Sequence, residues 1–286
     1  MTSNLISADI IGGLGNQLFQ IAIVLEYSKK YNKTPIFKEK DLNEIEKLHE
    51  ITAFSTLLNN NLNYLDTIKY NDIKFDNIYQ EQIEYKKNDI PQFDGNVLLK
   101  GYYQSPYYLS DETKNYMNDI LYSNNKYVMP AIEYYNKIKD LFRDNDDNNY
   151  CFVHFRRGDF LSYNFYTNID YYKRALDIIG LNKKLIIFSD DIEWCKKEIK
   201  FNNKQFFVEF NATNINEIIE IRYIELILMS LFINGIVSPG SSFSYWASFI
   251  GIPNKNIVVS KILFNNNKDE ILNKHNERYP KNWIEI

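Results

Sequence analysis

Two adjacent arginines, Arg156 and Arg157, follow an apolar run and precede Gly158 and Asp159. Guanidiniums are planar, permanently charged forks that match phosphate oxygens. Two at one point of the chain suit a diphosphate. Gly158 lets the backbone turn sharply or come close to a ligand. Asp159 can orient an arginine or accept a hydrogen bond from a hydroxyl. A surface Arg-Arg-Asp ion-pair cluster has the same composition, so this stretch by itself leaves both readings standing. A second polar cluster is Ser189-Asp190-Asp191. Its paired carboxylates suit ribose hydroxyls or a base edge, but a helix N-cap with an acidic first turn reads the same way. A third runs from Ser238 to Ser244, where Gly240, Ser241 and Ser242 lead into a helix whose first N–H groups suit a phosphate. A diphosphate between arginines and a helix start, with its nucleoside on an aspartate, is a nucleotide-sugar arrangement. The Asp144-x-Asp146 pair sits in a turn-prone stretch, poorly placed to hold a metal on that diphosphate. Arginines and the helix end would then stabilise the leaving group. Near the start, Gly12-Gly13-Leu14-Gly15-Asn16-Gln17 is neither a dinucleotide fingerprint nor a P-loop, since no lysine follows Gly15. A tight strand-to-helix turn without a ligand fits it equally well.

The elements that must position these clusters alternate. Leu5 to Ile11 reads as a strand into the glycine loop, and Leu18, Ile21, Ala22 and Leu25 follow at helical spacing. Thr34 to Phe37 and Val97 to Tyr103 read as strands. Ser110 reads as the N-cap of a helix to about Leu121, with another helix spanning about Ala131 to Phe142. Residues 41 to 95 give no clear pattern. Arg143 to Asn149 is polar, apolar-free and turn-prone, the best linker in the chain. After it the pattern is regular. Strands are expected at Tyr150–Phe155, Lys184–Ser189, Gln205–Phe210, Ile236–Val237 and Asn256–Val259. Helices are expected at Asp170–Ile179, closed by Gly180, just after Asp191, at Asn216 to about Asn234, ended by Gly235, and from near Ser244. Such alternation predicts parallel sheets with helices on both faces, and all three clusters then fall at strand ends, where α/β sheets bind ligands.

Composition narrows the function. The 286 residues are enough for two domains, and the net charge of −4 argues against an extended polyanion such as nucleic acid. Aromatics reach 16%, and flat rings suit the apolar faces of sugars. The two cysteines and three histidines make neither a disulfide framework nor a His-rich metal site. No secretory leader is expected at the start, and no apolar run of about 20 residues suggests a membrane span. The expected location is the cytoplasm, with peripheral attachment to a membrane left open.

The chain resembles the galactoside α-1,2-fucosyltransferases of glycosyltransferase family 11. The resemblance rests on GGLGNQLFQIA (Gly12–Ala22), GYYQSPYYL (Gly101–Leu109), VHFRRGDF (Val153–Phe160), IFSDDIEWCK (Ile187–Lys196) and LMS…SSFSYWASFIG (Leu228–Gly251). It implies an α/β fold of GT-B type, two Rossmann-like domains facing across a cleft. The division is expected at 145/146, with the acceptor-side domain first and Lys268 to Ile286 a candidate to cross back. It implies an inverting, metal-independent transfer from GDP-fucose, with no cofactor, to a galactose-terminated glycan or glycolipid. Arg157 is implied on the β-phosphate. Gly13, Gly15, His154, Arg156, Ser189, Asp190, Asp191, Ser241, Ser242 and Phe243 are implied around the donor. Asn16 is implied at the reacting centre, Asp159 is a candidate base, and Tyr102 and Gln104 fall on the acceptor side. The chain departs from the family pattern at Gly240, Tyr245, Phe232 and Asn234, which bear on acceptor preference and packing. A GDP-sugar transferase of different linkage or acceptor, or a non-catalytic GDP-fucose or glycan-binding module, are the alternatives.

Overall fold

The computed structural model describes residues 4–37, 73–82, 87–163, 165, 168–262 and 277–286. Most of the stretch 41–95 and the first part of 268–286 lie outside them. Contacts divide the chain into two compact units. One is Met1–Asn124 with His275–Pro280, the other Asn125–Lys274 with Lys281–Ile286.

In the first unit, β1 (Leu5–Ala8) leads through the glycine loop into α1 (Leu14–Tyr31). β2 (Thr34–Pro35), β3 (Asn77–Gln80) and β4 (Val97–Lys100) complete a parallel sheet of order β2-β1-β4-β3. The expected strand to Tyr103 stops at Lys100, because the buried Glu81 carboxylate accepts the N–H groups of Tyr102 (2.8 Å) and Tyr103 (2.9 Å) instead. α2 (Asp111–Tyr122) is capped by Ser110, whose Oγ accepts the N–H of Thr113 at 3.3 Å. Asp111 and Glu112 in its first turn favour the helix dipole.

The second unit opens with α3 (Asn125–Phe142). This helix starts earlier than the periodicity predicts and carries Pro130 inside, where one backbone hydrogen bond is forfeited. It groups with the second unit by packing. Tyr127 meets Tyr223 at 5.1 Å between ring centroids, Tyr135 meets Phe232 at 5.0 Å, and Lys126 pairs with Glu220 at 2.5 Å. The division therefore falls after Asn124 rather than at 145/146. Arg143 to Asn149 is a folded turn of this unit. Asp144 pairs with Lys184, which holds its carboxyl down to about 2, and Asp146 caps a short 3-10 turn.

β5 (Tyr150–Phe155), α4 (Gly158–Ser162), α5 (Ile169–Ile179), β6 (Lys184–Ser189), α6 (Ile192–Glu198), β7 (Gln205–Phe207), α7 (Ile215–Ser230), β8 (Asn234–Ile236), α8 (Ser242–Phe249), β9 (Asn256–Val259) and β10 (Ile284–Glu285) follow. They form a parallel sheet of order β10-β9-β8-β5-β6-β7. All six residues of β5 are buried, as a central parallel strand requires. Cys151, Val153 and Phe155 of this strand join Leu185, Ile187, Tyr171, Tyr172 and Leu176 in the core. The expected helix to Asn234 ends instead at Ser230, and Gly235 lies inside β8. A Cβ at 235 would run into the Phe152 ring, so glycine is what lets β8 dock beside β5. Strand order reverses at β1 in the first sheet and at β5 in the second. Such reversals place the glycine loop and the arginine pair where α/β sheets bind ligands. The α/β class and the two Rossmann-like domains expected from the sequence are what the structure has. Among the described residues, no helix is long and apolar enough to cross a membrane.

Candidate active site

The second unit gathers the arginines. Where β5 ends, the backbone N–H of Arg156 donates to Ser238 Oγ at 3.0 Å, which ties the strand to the turn after β8. The Arg156 guanidinium lies between two carboxylates, Nη1 donating to Asp190 Oδ2 and Nη2 to Asp159 Oδ1, each at 2.5 Å. Arg157 is held separately. Its backbone N–H donates to Asp190 Oδ1 at 2.8 Å and its Nε to Asp191 Oδ2 at 3.1 Å. Its guanidinium carbon lies 3.6 Å from the ring centroid of Trp194. Gly158 keeps the loop against Asp190: a Cβ there would lie 2.6 Å from Asp190 Oδ2.

This geometry assigns the acidic residues. Asp190 binds both arginines. Asp191 is the N-cap of α6, accepting the Trp194 N–H at 3.3 Å, so the capping reading holds for this member of the pair. Asp159 pairs with Arg156, not Arg157, so it orients an arginine. Ser189 ties the ends of β5 and β6. Its Oγ donates to Phe155 O at 2.8 Å and accepts the Asp191 N–H at 3.0 Å.

His154 is buried, and burial, aided by the charge of Arg156, pushes its imidazole down to about 3. It is therefore neutral at physiological pH and acts through hydrogen bonds, not charge. Its Nδ1 lies 3.0 Å from Ser244 Oγ, and its ring 5.9 Å from Phe243. Ser241 is the N-cap of α8, accepting the Ser244 N–H at 3.4 Å, and Ser242 opens the helix. The arginine pair and the α8 turn are thus joined through Ser238 and His154. Tyr172 seals the junction, its hydroxyl donating to His154 O at 2.9 Å and sharing a hydrogen bond with the Ser238 hydroxyl at 3.2 Å.

Three members of this cluster escaped the sequence reading: Trp194, Arg222 and Glu225. Arg222 and Glu225 are one turn apart on α7. Desolvation draws Arg222 below its ordinary value, and the charge of Arg156 adds to it. Glu225 is half-buried on the same helix. Lost hydration raises its carboxyl to about 7, with Arg222 opposing and Asp190 adding to the rise. The available signal was the set of charges, Glu217, Glu220, Arg222 and Glu225, along a helix rich in Ile and Leu.

The first unit holds the glycine loop. Gly12 turns at φ +77°, a conformation that favours glycine, and Gly13 is the N-cap of α1. Gly15 is buried in the first turn. Two buried glutamines brace the loop. Gln17 Nε2 donates to Gly12 O at 2.7 Å, and Gln20 Oε1 accepts the Ile11 N–H at 3.0 Å while its Nε2 donates to Gly101 O at 3.0 Å. Gln104 Nε2 donates to Asn16 Oδ1 at 2.6 Å, which brings these two candidates together. Tyr102 follows Gly101, its N–H held by Glu81. Among the described residues, no group of three or more His, Cys, Asp or Glu side chains is placed to hold a metal ion.

Comparison with known proteins adds four likenesses. The family model described as glycosyl transferase family 11 matches residues 2–286. An alpha-1,2-colitosyltransferase of Escherichia coli is 26% identical over 86% of this chain and 88% of its own length. Svh-11 of Caenorhabditis elegans, provisionally named a galactoside 2-alpha-L-fucosyltransferase, is 23% identical over 89% of this chain and 70% of its own. Among solved structures, fucosyltransferase NodZ from Bradyrhizobium matches with a TM-score of 0.50 at 11% identity, over 86% of this chain and 92% of that one. That last match bears on the fold.

Proposed function

The chain belongs to glycosyl transferase family 11, and from that premise we propose that it transfers fucose from GDP-β-L-fucose to the 2-hydroxyl of a terminal galactoside, forming an α-1,2 linkage with inversion. The chain is a glycosyltransferase. The observation that carries the donor reading is the arginine pair at the end of β5, held by three aspartates and tied to the start of α8. Diphosphate oxygens gain charge as the bond from the anomeric carbon to the β-phosphate oxygen breaks. Donors already fixed in place stabilise that charge most in the transition state, with no reorganisation. Arg157 and the Ser241–Ser242 turn are the proposed stabilisers. The acceptor hydroxyl attacks the anomeric carbon from the opposite face and loses its proton as the new bond forms. Because the sugar carries positive charge at that point, a strong base is not essential. With Asp159 bound to Arg156, its role is orientation. With Asp190 and Asp191 both holding arginines, Glu225 is the carboxylate proposed to meet the N–H edge of guanine. Metal independence belongs to the same proposal, with the guanidiniums in the metal's place.

The test is Arg157→Ala beside Arg157→Lys, with melting temperature and transfer rate measured on each. Loss of one preorganised donor costs about 10²–10³ in kcat. Lysine should rescue poorly, since a point charge does not replace a fork. A folded Ala variant turning over at the wild-type rate would end the leaving-group assignment. The relative named for colitose supports a second reading, with colitose in place of fucose on the same linkage. Presenting both donors in one assay separates the two, and absence of transfer and of donor hydrolysis would favour a binding module.

A further inference from the structure

Among the described residues of the second unit, the contact between Arg157 and Trp194 is the tightest cation–ring approach, at 3.6 Å from guanidinium carbon to ring centroid. At that distance the guanidinium lies directly over the indole. One carboxylate secures both members of the stack. Asp191 Oδ2 accepts from Arg157 Nε at 3.1 Å, and Asp191 Oδ1 accepts the Trp194 backbone N–H at 3.3 Å. The indole packs against the core cluster, with its ring 6.4 Å from that of Phe155, the strand residue two positions before Arg157. The platform is therefore anchored on the same strand that delivers the arginine. The Arg157 side chain is only 12% exposed, although it ends in a permanent charge. A free arginine side chain samples many rotamers, and holding one of them costs conformational entropy. An aromatic face beneath the fork removes that freedom while leaving its edge to form in-plane hydrogen bonds.

We propose that Trp194 is a positioning residue for the leaving-group arginine: its indole, seated on the core with its backbone N–H capped by Asp191, holds the Arg157 guanidinium in the plane needed for the diphosphate. This rests on the reading that Arg157 holds that group. The bland alternative is that Trp194 only fills space beside the core, in which case its loss lowers stability and leaves the arginine's work intact.

A double-mutant cycle separates the two. Trp194→Leu is made in the wild type and in Arg157→Ala, with Trp194→Phe in the wild type, and kcat, both KM values and melting temperature are measured. A partly desolvated cation–aromatic contact predicts a fall in kcat on the order of tenfold for Trp194→Leu, with the acceptor KM unchanged. Trp194→Phe keeps a ring and should stay within about threefold of wild type. In the Arg157→Ala background Trp194→Leu should change kcat by less than about twofold, because the group it positions is gone. Equal factors in both backgrounds would overturn the proposal, and so would a Phe variant as slow as the Leu variant. The Phe comparison decides the matter should the Leu variant not fold. Arg157→Ala at wild-type turnover would remove the leaving-group reading and this proposal together. A slow Arg157→Ala with additive effects would remove this proposal alone.

Discussion

Replacing Glu225 by glutamine is expected to stabilise the ligand-free protein above neutral pH and to change it little in acid. The carboxyl lies in α7 facing Arg222 on its own helix and Asp190 on the turn between β6 and α6. Lost hydration raises it from an ordinary 4.5 to about 7, Arg222 lowers it, and Asp190 raises it. The folded protein thus keeps a proton that the unfolded chain releases between those values. Its stability falls as pH climbs from about 4.5 to about 7 and stays lower beyond that. The interval from 4.5 to about 7 is about 2.5 pH units, and at about 1.4 kcal/mol per unit the ceiling is about 3.5 kcal/mol. Water reaches a half-buried group and relaxes part of that, so about 1–2 kcal/mol is expected. For a chain this long each kcal/mol moves the melting point by roughly 2–4 °C. The assay is thermal unfolding of wild type and Glu225→Gln at about pH 5 and about pH 8, where the glutamine variant should gain several degrees only at the higher pH. A variant that melts below wild type at the higher pH, or gains equally at both, would refute the account of a carboxylate ionised at a cost.

Three further outcomes are expected. Transfer should survive EDTA; turnover lost in chelator and restored by manganese or magnesium would mean that a metal, not the arginine pair alone, neutralises the diphosphate. Gly158→Ala should slow transfer with little effect on melting, because the new Cβ would lie 2.6 Å from Asp190 Oδ2 and push aside the carboxylate that holds both arginines. A wild-type rate would show that Asp190 is free to shift. Gly235→Ala should destabilise by about 1–3 kcal/mol, the usual cost of overpacking, read as a lower denaturation midpoint with an unchanged slope.

The parts of the molecule that carry their own periodicity were legible. β5 and β6 are continuous apolar runs between polar turns, and the structure returns both with the boundaries the sequence suggests. Ser110 and Gly180 marked helix ends that exist, the Gly180 N–H donating to Leu176 O at 2.9 Å. Short elements were not legible. β10 is two residues long, and only its pairing with Val258 and Val259 makes it a strand. Gly235 looked like a helix stop because glycine usually marks one, whereas here its use depends on Phe152, far away in sequence. The three polar clusters are joined to one another in the fold, but their internal assignments depend on pairings across it. Nothing local says that Asp159 takes Arg156 while Asp191 takes Arg157. Trp194 looked like any helix aromatic, since its partner lies in the turn after β5, far away in sequence. Glu225 and Arg222 stand among several charges of α7, and nothing local marks these two rather than Glu217 or Glu220 as neighbours of the arginine site.

The close fit of Gly235 against Phe152 also protects the alignment of the sheet. The β5–β8 pair joins stretches about eighty residues apart, Phe152 facing Gly235 and Cys151 facing Asn234. A slip by one position would set Asn234 or Ile236 beside the Phe152 ring, and either brings a Cβ where there is no room for one. Asn234 adds a second check, its Nδ2 donating to Tyr150 O at 2.8 Å and Asn148 O at 3.1 Å, bonds that a shifted strand would break. A one-residue error would turn every β8 side chain to the opposite face and carry Ser238 about 3.3 Å along the strand, away from the Arg156 N–H. Misaligned chains of this kind would be compact yet unable to assemble the arginine site. The absence of a side chain at one position thus selects a single register for the whole strand pair.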